Sequence, residues 1–219
     1  MTTHAPMPPM AVPRRRSAWL TVGLPVLTAL LLVGVIGLFG GWESASAQRE
    51  DTLPAIPPGQ EITVEPFELT AIRAGHTMEL EPVLRAEDGV RRLILTMEVT
   101  ITTDSPLGSG TLKRAVTLEA PGLRPSPNGQ GPGLPGNHVV SENVLRVVDS
   151  LSSNALQPGL TQRLAFVWLQ DSQEPVPDSL TFTLHQHTYR TSYLEPTYSW
   201  FDPEPVATVT LPVVELGEP

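Results

Sequence analysis

An uncharged apolar run near the N-terminus, residues 17–42, limits what this chain can fold into more than any other feature. It reads SAWLTVGLPVLTALLLVGVIGLFGGW and carries a tryptophan near each end. A helix from Trp19 to Trp42 would be about 35 Å long, which is enough to cross the roughly 30 Å hydrocarbon core of a bilayer. Tryptophan also prefers the two membrane–water interfaces. The run therefore predicts a transmembrane helix.

The charge before the run predicts the orientation of that helix. Residues 1–16 hold three consecutive arginines and no acidic residue, and their proline content is typical of a disordered tail. The positive-inside rule keeps such a tail in the cytoplasm, so the rest of the chain is expected on the extracytoplasmic side of a cell membrane. The alternative is a signal peptide cleaved after Ala47, because Ala45-Ser46-Ala47 resembles a processing site. The length of the run favours a retained single-pass anchor.

Composition beyond the run excludes several functional classes. After residue 42 the chain carries 23 acidic and 11 basic residues, a net charge of −12, which argues against nucleic acid as a partner. There is no cysteine, so disulfides, thiol catalysis and cysteine-based metal sites are excluded. An exported domain of this size without cysteine fits a bacterial envelope protein best. No nucleotide-binding or hydrolase motif is present, and we expect neither a cofactor nor an enzymatic activity.

Residues 61–216 follow a proline-rich linker at 43–60 and alternate between apolar and polar residues with a period of two. The clearest strand is predicted at 92–103, where one face is apolar throughout: Leu93, Leu95, Met97, Val99 and Ile101. About eight such strands, with no amphipathic helix, predict an all-β domain, an antiparallel immunoglobulin-like β-sandwich of about 7–9 strands. Five prolines and five glycines predict a long loop at 120–137.

Four further strands are predicted from the sequence. A strand over 62–69 is interrupted by a proline, and a strand over 112–118 alternates less cleanly. In the strand predicted over 161–169, every residue from Leu164 to Leu169 is apolar, which predicts a strand buried on both faces. The last strand, over 206–214, contains Pro212, which predicts a place at the edge of a sheet.

The segment from Leu156 to Trp168 has the pattern L-x-P-G-x-T-x-R-x-x-F-x-W, in which a Pro-Gly turn leads into a strand. This pattern resembles the late-strand region of immunoglobulin-like export domains in actinobacterial membrane-anchored proteins. The DUF4352-like immunoglobulin-type family has a similar turn before such a strand. The resemblance implies a β-sandwich outside the cytoplasm. Its motifs are structural, so it implies no functional residue.

A pair of histidines provides the best candidate metal site. His185 and His187 lie two positions apart on a predicted strand, which places them about 7 Å apart on a face expected to be exposed to solvent. Two imidazoles at that spacing can bind one metal ion, and His76 or His138 would have to supply a third ligand. Such histidines are more often ordinary polar surface, so we expect no metal.

Aromatic residues cluster near the C-terminus, in a predicted loop that contains Pro196 and Pro203. The cluster comprises Tyr189, Tyr193, Tyr198, Trp200 and Phe201, and the last four form a candidate interaction surface. Exposed aromatic rings in a loop can contact a protein or a sugar. The alternative, which we favour from the sequence, is that they cover the open end of the sandwich.

Together these features predict a non-enzymatic, membrane-anchored envelope protein. Its β-sandwich would contact other proteins, as an accessory to a membrane transport or envelope complex. The alternative is an extracytoplasmic sensor domain that binds a ligand or a metal. Two carboxylate pairs, Glu65 with Glu68 and Glu79 with Glu81, have the residue types that glycoside hydrolysis needs, but acids on an exposed strand normally serve solubility.

Overall fold

The structure, a computed structural model, describes residues 53–79, 87–125, 138–194 and 196–216. These residues form twelve strands and one helix, α1 (Ser109–Ala115). The strands are β1 (Ala55–Ile56), β2 (Glu61–Val64), β3 (Phe67–Thr77), β4 (Val90–Ile101), β5 (Leu107–Gly108), β6 (Val116–Leu118), β7 (Val139–Val140), β8 (Asn143–Arg146), β9 (Ala155–Leu156), β10 (Gln162–Asp171), β11 (Ser179–Thr191) and β12 (Tyr198–Glu215).

No helix in the described part of the chain has the length and apolar character needed to cross a membrane. The predicted transmembrane helix at 17–42 and the tail before it lie outside the described residues. The same holds for most of the predicted linker, for residues 126–137 of the predicted loop, and for Glu81.

Ten of the strands form two sheets that share β12, and β5 pairs with β9 in a separate two-stranded sheet. Sheet A has the order β7-β6-β11-β12, with β1 also paired to β12, and sheet B has the order β3-β4-β10-β8, with β2 also paired to β3. β12 pairs with β11 as far as Pro212, and residues 213–215 then pair with β3 in sheet B. Proline has no backbone N–H to donate, and Pro212 lies where the strand changes partners. Because β12 lies between β11 and β3 in the strand order, the prediction that this strand lies at a sheet edge is wrong.

The two sheets pack face to face around one apolar core. Trp168 on β10 of sheet B contacts Phe182 on β11 of sheet A, with 5.5 Å between ring centroids. The predicted apolar face of β4 is buried in this core, as the period of two requires. On β10 both faces are buried from Leu164 to Trp168, because the strand lies between β4 and β8 and carries a second apolar cluster on its outer face. The domain is an all-β sandwich.

Several details differ from the sequence prediction. Within the described residues there are twelve strands, and two pairings, β1 with β12 and β12 with β3, are parallel. Residues 62–69 form two strands of a hairpin that turns at Pro66. The strand predicted from Leu112 begins as α1, because Leu112 and Ala115, three positions apart, are buried on one helical face.

Strand directions place a defined set of segments at one end of the sandwich. β3 begins there and β4 ends there, since Phe67 pairs with Ile101. β12 is parallel to β3 and β1 is parallel to β12, so both of these strands also begin there. The β11–β12 hairpin turns at this end, and we call it the hairpin end.

Candidate functional site

The β11–β12 hairpin carries three aromatic residues side by side on one face. Tyr189 on β11 is directly opposite Trp200 on β12, and Thr191 is opposite Tyr198. The ring centroid of Tyr189 lies 5.1 Å from that of Trp200 and 5.5 Å from that of Tyr198. Tyr189 is 57 % exposed and Tyr198 65 % exposed. The two exposed tyrosines and the half-buried Trp200 form an aromatic cluster, stabilised by cross-strand contacts.

The opposite face of the hairpin is organised around Arg190. Its guanidinium lies 4.4 Å from the ring centroid of Tyr193 and 4.7 Å from that of Phe201, so it contacts both rings as a cation. It also donates two hydrogen bonds to the carboxylate of Asp202, at 2.5 and 2.9 Å. These bonds lower the pKa of Asp202. The positive charge of Arg190 is thereby compensated within the hairpin.

The outer part of the hairpin, residues 188–201, extends past the neighbouring strands. In the described part of the chain, β6 pairs with β11 only at residues 182–184, and residues 188–201 pair only with each other. The most exposed side chains are in the turn, where Tyr193 is 88 % and Leu194 95 % exposed. We call residues 188–201 the hairpin tip.

These positions correct part of the sequence interpretation. The aromatic residues were expected in a loop, but Tyr198, Trp200 and Phe201 lie on β12, and only Tyr193 lies in the turn. Tyr189, Tyr193 and Tyr198 are largely exposed, and Trp200 and Phe201 are half-buried. Tyr189, which the sequence already places in the aromatic cluster, lies on the same face as Tyr198 and Trp200, whereas Phe201 lies on the other face.

The candidate metal-binding histidines are buried, which contradicts the expectation of a solvent-facing pair. His185 is fully buried and His187 is 4 % exposed. The Nε2 atom of His185 lies 2.8 Å from the hydroxyl of Thr117, and the Nδ1 atom of His138 lies 3.3 Å from the same hydroxyl. The rings of His138 and His185 are edge to face, 5.9 Å apart. Thr117 is opposite Thr183 in sheet A, so β6 lies directly beside the part of β11 that precedes the histidines.

Burial sets the charge state of both histidines. It lowers the pKa of His185 to about 3, with smaller contributions from His138 and His187. It lowers the pKa of His187 to about 4, and the nearby Arg114 guanidinium adds to the effect. A buried imidazole loses hydration when it is charged, so the neutral form is favoured. Both side chains are therefore neutral at pH 7.

The structure brings together only part of the suggested metal site. His138 contacts His185, as the sequence allowed, but His76 lies nine positions along β3 from Phe67, whose ring contacts His187. That separation is roughly 30 Å along a strand. Among the described residues, no group of three or more histidine, aspartate or glutamate side chains is placed to hold a metal ion.

Of the suggested carboxylate pairs, Glu65 and Glu68 are both described. Glu65 is exposed in the β2–β3 turn and accepts a hydrogen bond from the hydroxyl of Thr102 at 3.2 Å. Glu68 lies on β3 opposite Thr100. Neither carboxylate lines the cleft described next.

A cleft of about 520 Å³ opens beside strand β8, on the outer side of sheet B. Its lining residues come from β4, β8, β10 and the turns that flank them: Glu98, Arg146, Val147, Val148, Thr161, Gln162 and Arg163. Val148 is 89 % exposed, and Leu151 and Leu160 are exposed nearby in the chain. Sequence analysis missed this site. Two adjacent valines directly before the polar turn at Asp149 were the available signal.

The chain matches no protein-family profile and no curated protein. It is similar in structure to an uncharacterized β-sandwich protein from Clostridium difficile 630, with 13 % identity and a TM-score of 0.45 over 74 % of this chain and 94 % of the other. A proposed lipoprotein from Bacillus subtilis has 13 % identity and a TM-score of 0.36, covering 69 % and 37 %. A proposed lipoprotein from Staphylococcus aureus has 11 % identity and a TM-score of 0.36, covering 74 % and 97 %. At these values the likenesses carry no statement about function.

Proposed function

We propose that this protein is a non-enzymatic, single-pass membrane-anchored envelope protein whose extracytoplasmic β-sandwich binds a partner protein. The immunoglobulin-like assignment and the orientation with a cytoplasmic N-terminus are parts of this proposal, and both come from the sequence. The observation that carries the binding function is the cleft beside β8, with its exposed aliphatic rim.

The cleft has the composition of a protein-binding surface. Val147 and Val148 present exposed apolar side chains at the cleft. Arginine is common in protein interfaces, and the cleft holds Arg146 and Arg163. The expected partner therefore presents apolar side chains to the valines and polar groups to the two arginines.

The charged groups of the cleft are already paired with one another or with a neighbour. Arg163 bonds Glu98 across strands β10 and β4 at 2.7 Å, and Arg146 bonds Asp149 at 2.6 Å. A general acid or base needs a side chain that is free to exchange a proton with a substrate. Paired surface ions of this kind are better suited to the polar rim of an interface.

A photo-crosslinking amino acid at position 148 of the full-length protein tests this function in intact cells. We expect a specific crosslinked protein from position 148, and none from a matched control at Val176, which is also exposed but lies in the turn between β10 and β11. Val148→Asp should abolish co-purification of that protein, and Val176→Asp should leave it unchanged. Identical crosslinking from the two positions would contradict the proposal.

A further inference from the structure

We propose that the outer edge of β11 in the hairpin tip, residues 188–191, binds an extended, basic segment of a partner protein as an added β-strand. The outer edge is the side of β11 that faces away from β12. This surface is separate from the cleft beside β8, and the inference depends neither on that cleft nor on the membrane anchor.

The hydrogen-bond register of the hairpin decides which backbone groups of β11 face outwards. The N–H of Ser192 donates to the carbonyl of Thr197 at 2.8 Å, directly beyond the cross-strand pair of Thr191 and Tyr198. Hydrogen-bonded and non-hydrogen-bonded pairs alternate along an antiparallel ladder, so the pairs that contain Thr191 and Tyr189 are both of the non-hydrogen-bonded kind. The N–H and C=O groups of these two residues therefore point away from β12.

These outward-facing groups have room for another strand. In the described part of the chain, β6 pairs with β11 no further along than Leu184. The Arg190 guanidinium donates one bond of 3.2 Å to the carbonyl of Thr191, whose oxygen has a second lone pair to offer. A row of exposed backbone groups is a template for strand pairing, and strand addition is a common form of peptide recognition.

The outer edge of β12 is less suited to strand addition. Pro203 and Pro205 lack the backbone N–H that a paired strand needs, and Asp202 between them and the tip has a φ of 51°, which is not extended. Residues 188–191 contain no proline and no positive φ, and their threonines and tyrosine favour strands. The open edge of the tip is therefore that of β11.

The charge of the tip selects a basic occupant. Between residues 188 and 204 the sequence has one basic residue and three acidic ones, a net charge of −2: Arg190, Glu195, Asp202 and Glu204. Arg190 is already paired with Asp202. A second copy of this chain, whose formal net charge is −9, would bring two acidic tips together, whereas a basic segment complements them.

A further acid lies where the open edge begins. The carbonyl of Glu65, in the β2–β3 turn, accepts the N–H of His187 at 2.7 Å. The Glu65 side chain is exposed and forms no ion pair with a described residue. Arg114 on α1 also lies near His187, but it is half-buried. A basic side chain at this end of an added strand would therefore meet an accessible carboxylate.

The aromatic cluster provides a second contact for a cation. Alternate side chains of an added strand would lie on the face of the hairpin that carries Tyr189, Tyr198 and Trp200. The two tyrosines are mostly exposed, and Arg190 contacts rings on the opposite face. Lysine or arginine binds the face of an aromatic ring, so basic residues at alternate positions of the segment fit this surface.

Amide hydrogen exchange of the full-length protein in mild non-ionic detergent, followed by NMR, tests the inference. The probe is a synthetic peptide of alternating lysine and valine. At a peptide concentration about ten times its Kd, exchange of the Tyr189 and Thr191 N–H groups should slow about tenfold. The N–H groups of Tyr198 and Trp200 on the β12 edge should exchange as before. A matched peptide of alternating glutamate and valine should bind severalfold more weakly.

Two changes separate strand addition from simple charge attraction. Thr191→Pro removes an outward-facing N–H that β12 does not use and should weaken binding of the lysine–valine peptide severalfold, whereas Thr191→Val keeps that N–H and should bind normally. Methylation of the backbone nitrogens of the peptide keeps its charges and should abolish binding without any change to the protein. Val148→Asp, in the cleft, should leave peptide binding unchanged.

Three outcomes would overturn the inference. Undiminished binding of the methylated peptide would mean that charge alone holds it. Protection of the β12 edge in place of Tyr189 and Thr191 would move the site to the other strand. Protection of Tyr189 and Thr191 without peptide, increasing with protein concentration, would show that a second copy of the chain is the occupant.

Discussion

The two halves of the β11–β12 hairpin have similar residue types but different surroundings. In the half of the hairpin next to the core, which we call the root, Leu180, Phe182 and Leu184 on β11 are buried in the core. Strand β6 pairs with β11 in this half. In the tip, the Tyr189 and Tyr198 rings stack on each other and stay mostly exposed. Apolar and aromatic side chains therefore stabilise the fold where a second layer covers them and remain at the surface where it does not. Sequence composition alone does not separate the two cases.

The largest effect of this difference should appear in alanine substitutions. Phe182→Ala removes a fully buried ring that contacts Trp168, and we expect it to lower the free energy of unfolding by about 3–5 kcal/mol. Tyr198→Ala removes a ring of similar size from the tip and should cost less than about 1 kcal/mol. Urea titration with pulse proteolysis of the full-length protein in mild detergent measures both. Equal losses would mean that the tip is packed like the root.

The pH dependence of stability tests the histidines at the boundary between root and tip. Because folding lowers the pKa of His185 to about 3 and of His187 to about 4, the unfolded chain binds protons first as the pH falls below about 6.5. Stability should be constant above that pH and decrease below it, by up to about 2 kcal/mol per histidine at pH 5. The decrease should continue until the pH reaches the folded pKa values.

A substitution assigns that pH dependence to the buried pair. His185→Gln keeps a neutral polar side chain next to Thr117 and should remove about half of the loss of stability between pH 6.5 and 4, with His187 supplying the rest, whatever its effect at pH 7. His4→Gln, in the N-terminal tail, is the matched control and should leave the profile unchanged. An unchanged slope in His185→Gln would contradict the assignment of the effect to this histidine.

The end of the sandwich opposite the tip should tolerate less change. A Cβ atom at Gly75 would lie 2.6 Å from Cγ of Leu216 and 2.7 Å from the carbonyl oxygen of Val214. Gly75→Ala should therefore destabilise the domain by about 1–3 kcal/mol. Gly108, where an added Cβ meets no atom within 4 Å, is the control position in the same titration. A neutral Gly75→Ala would show that the C-terminal segment can move away from sheet B.

The sequence predicted the features that depend on a regular period and missed those that depend on neighbouring strands. The inward face of β4 and the doubly buried β10 follow from alternation and were predicted correctly. The burial of His185 depends on Thr117 and His138, which approach from β6 and its loop. The cleft at Val148 likewise depends on which strand lies at the edge of sheet B. No pattern within a single segment determines these contacts.

The smallest predicted effect concerns the aromatic cluster itself. Tyr189 and Trp200 form a directly opposed cross-strand pair, and such pairs contribute roughly 0.2–1 kcal/mol. In a double-mutant cycle with Tyr189→Thr and Trp200→Thr, threonine keeps strand propensity while it removes both rings, so the coupling energy should fall in that range. A tip that needs its aromatic residues for the fold would show a coupling well above it. A coupling this small would show that the two rings contribute little to the stability of the sandwich.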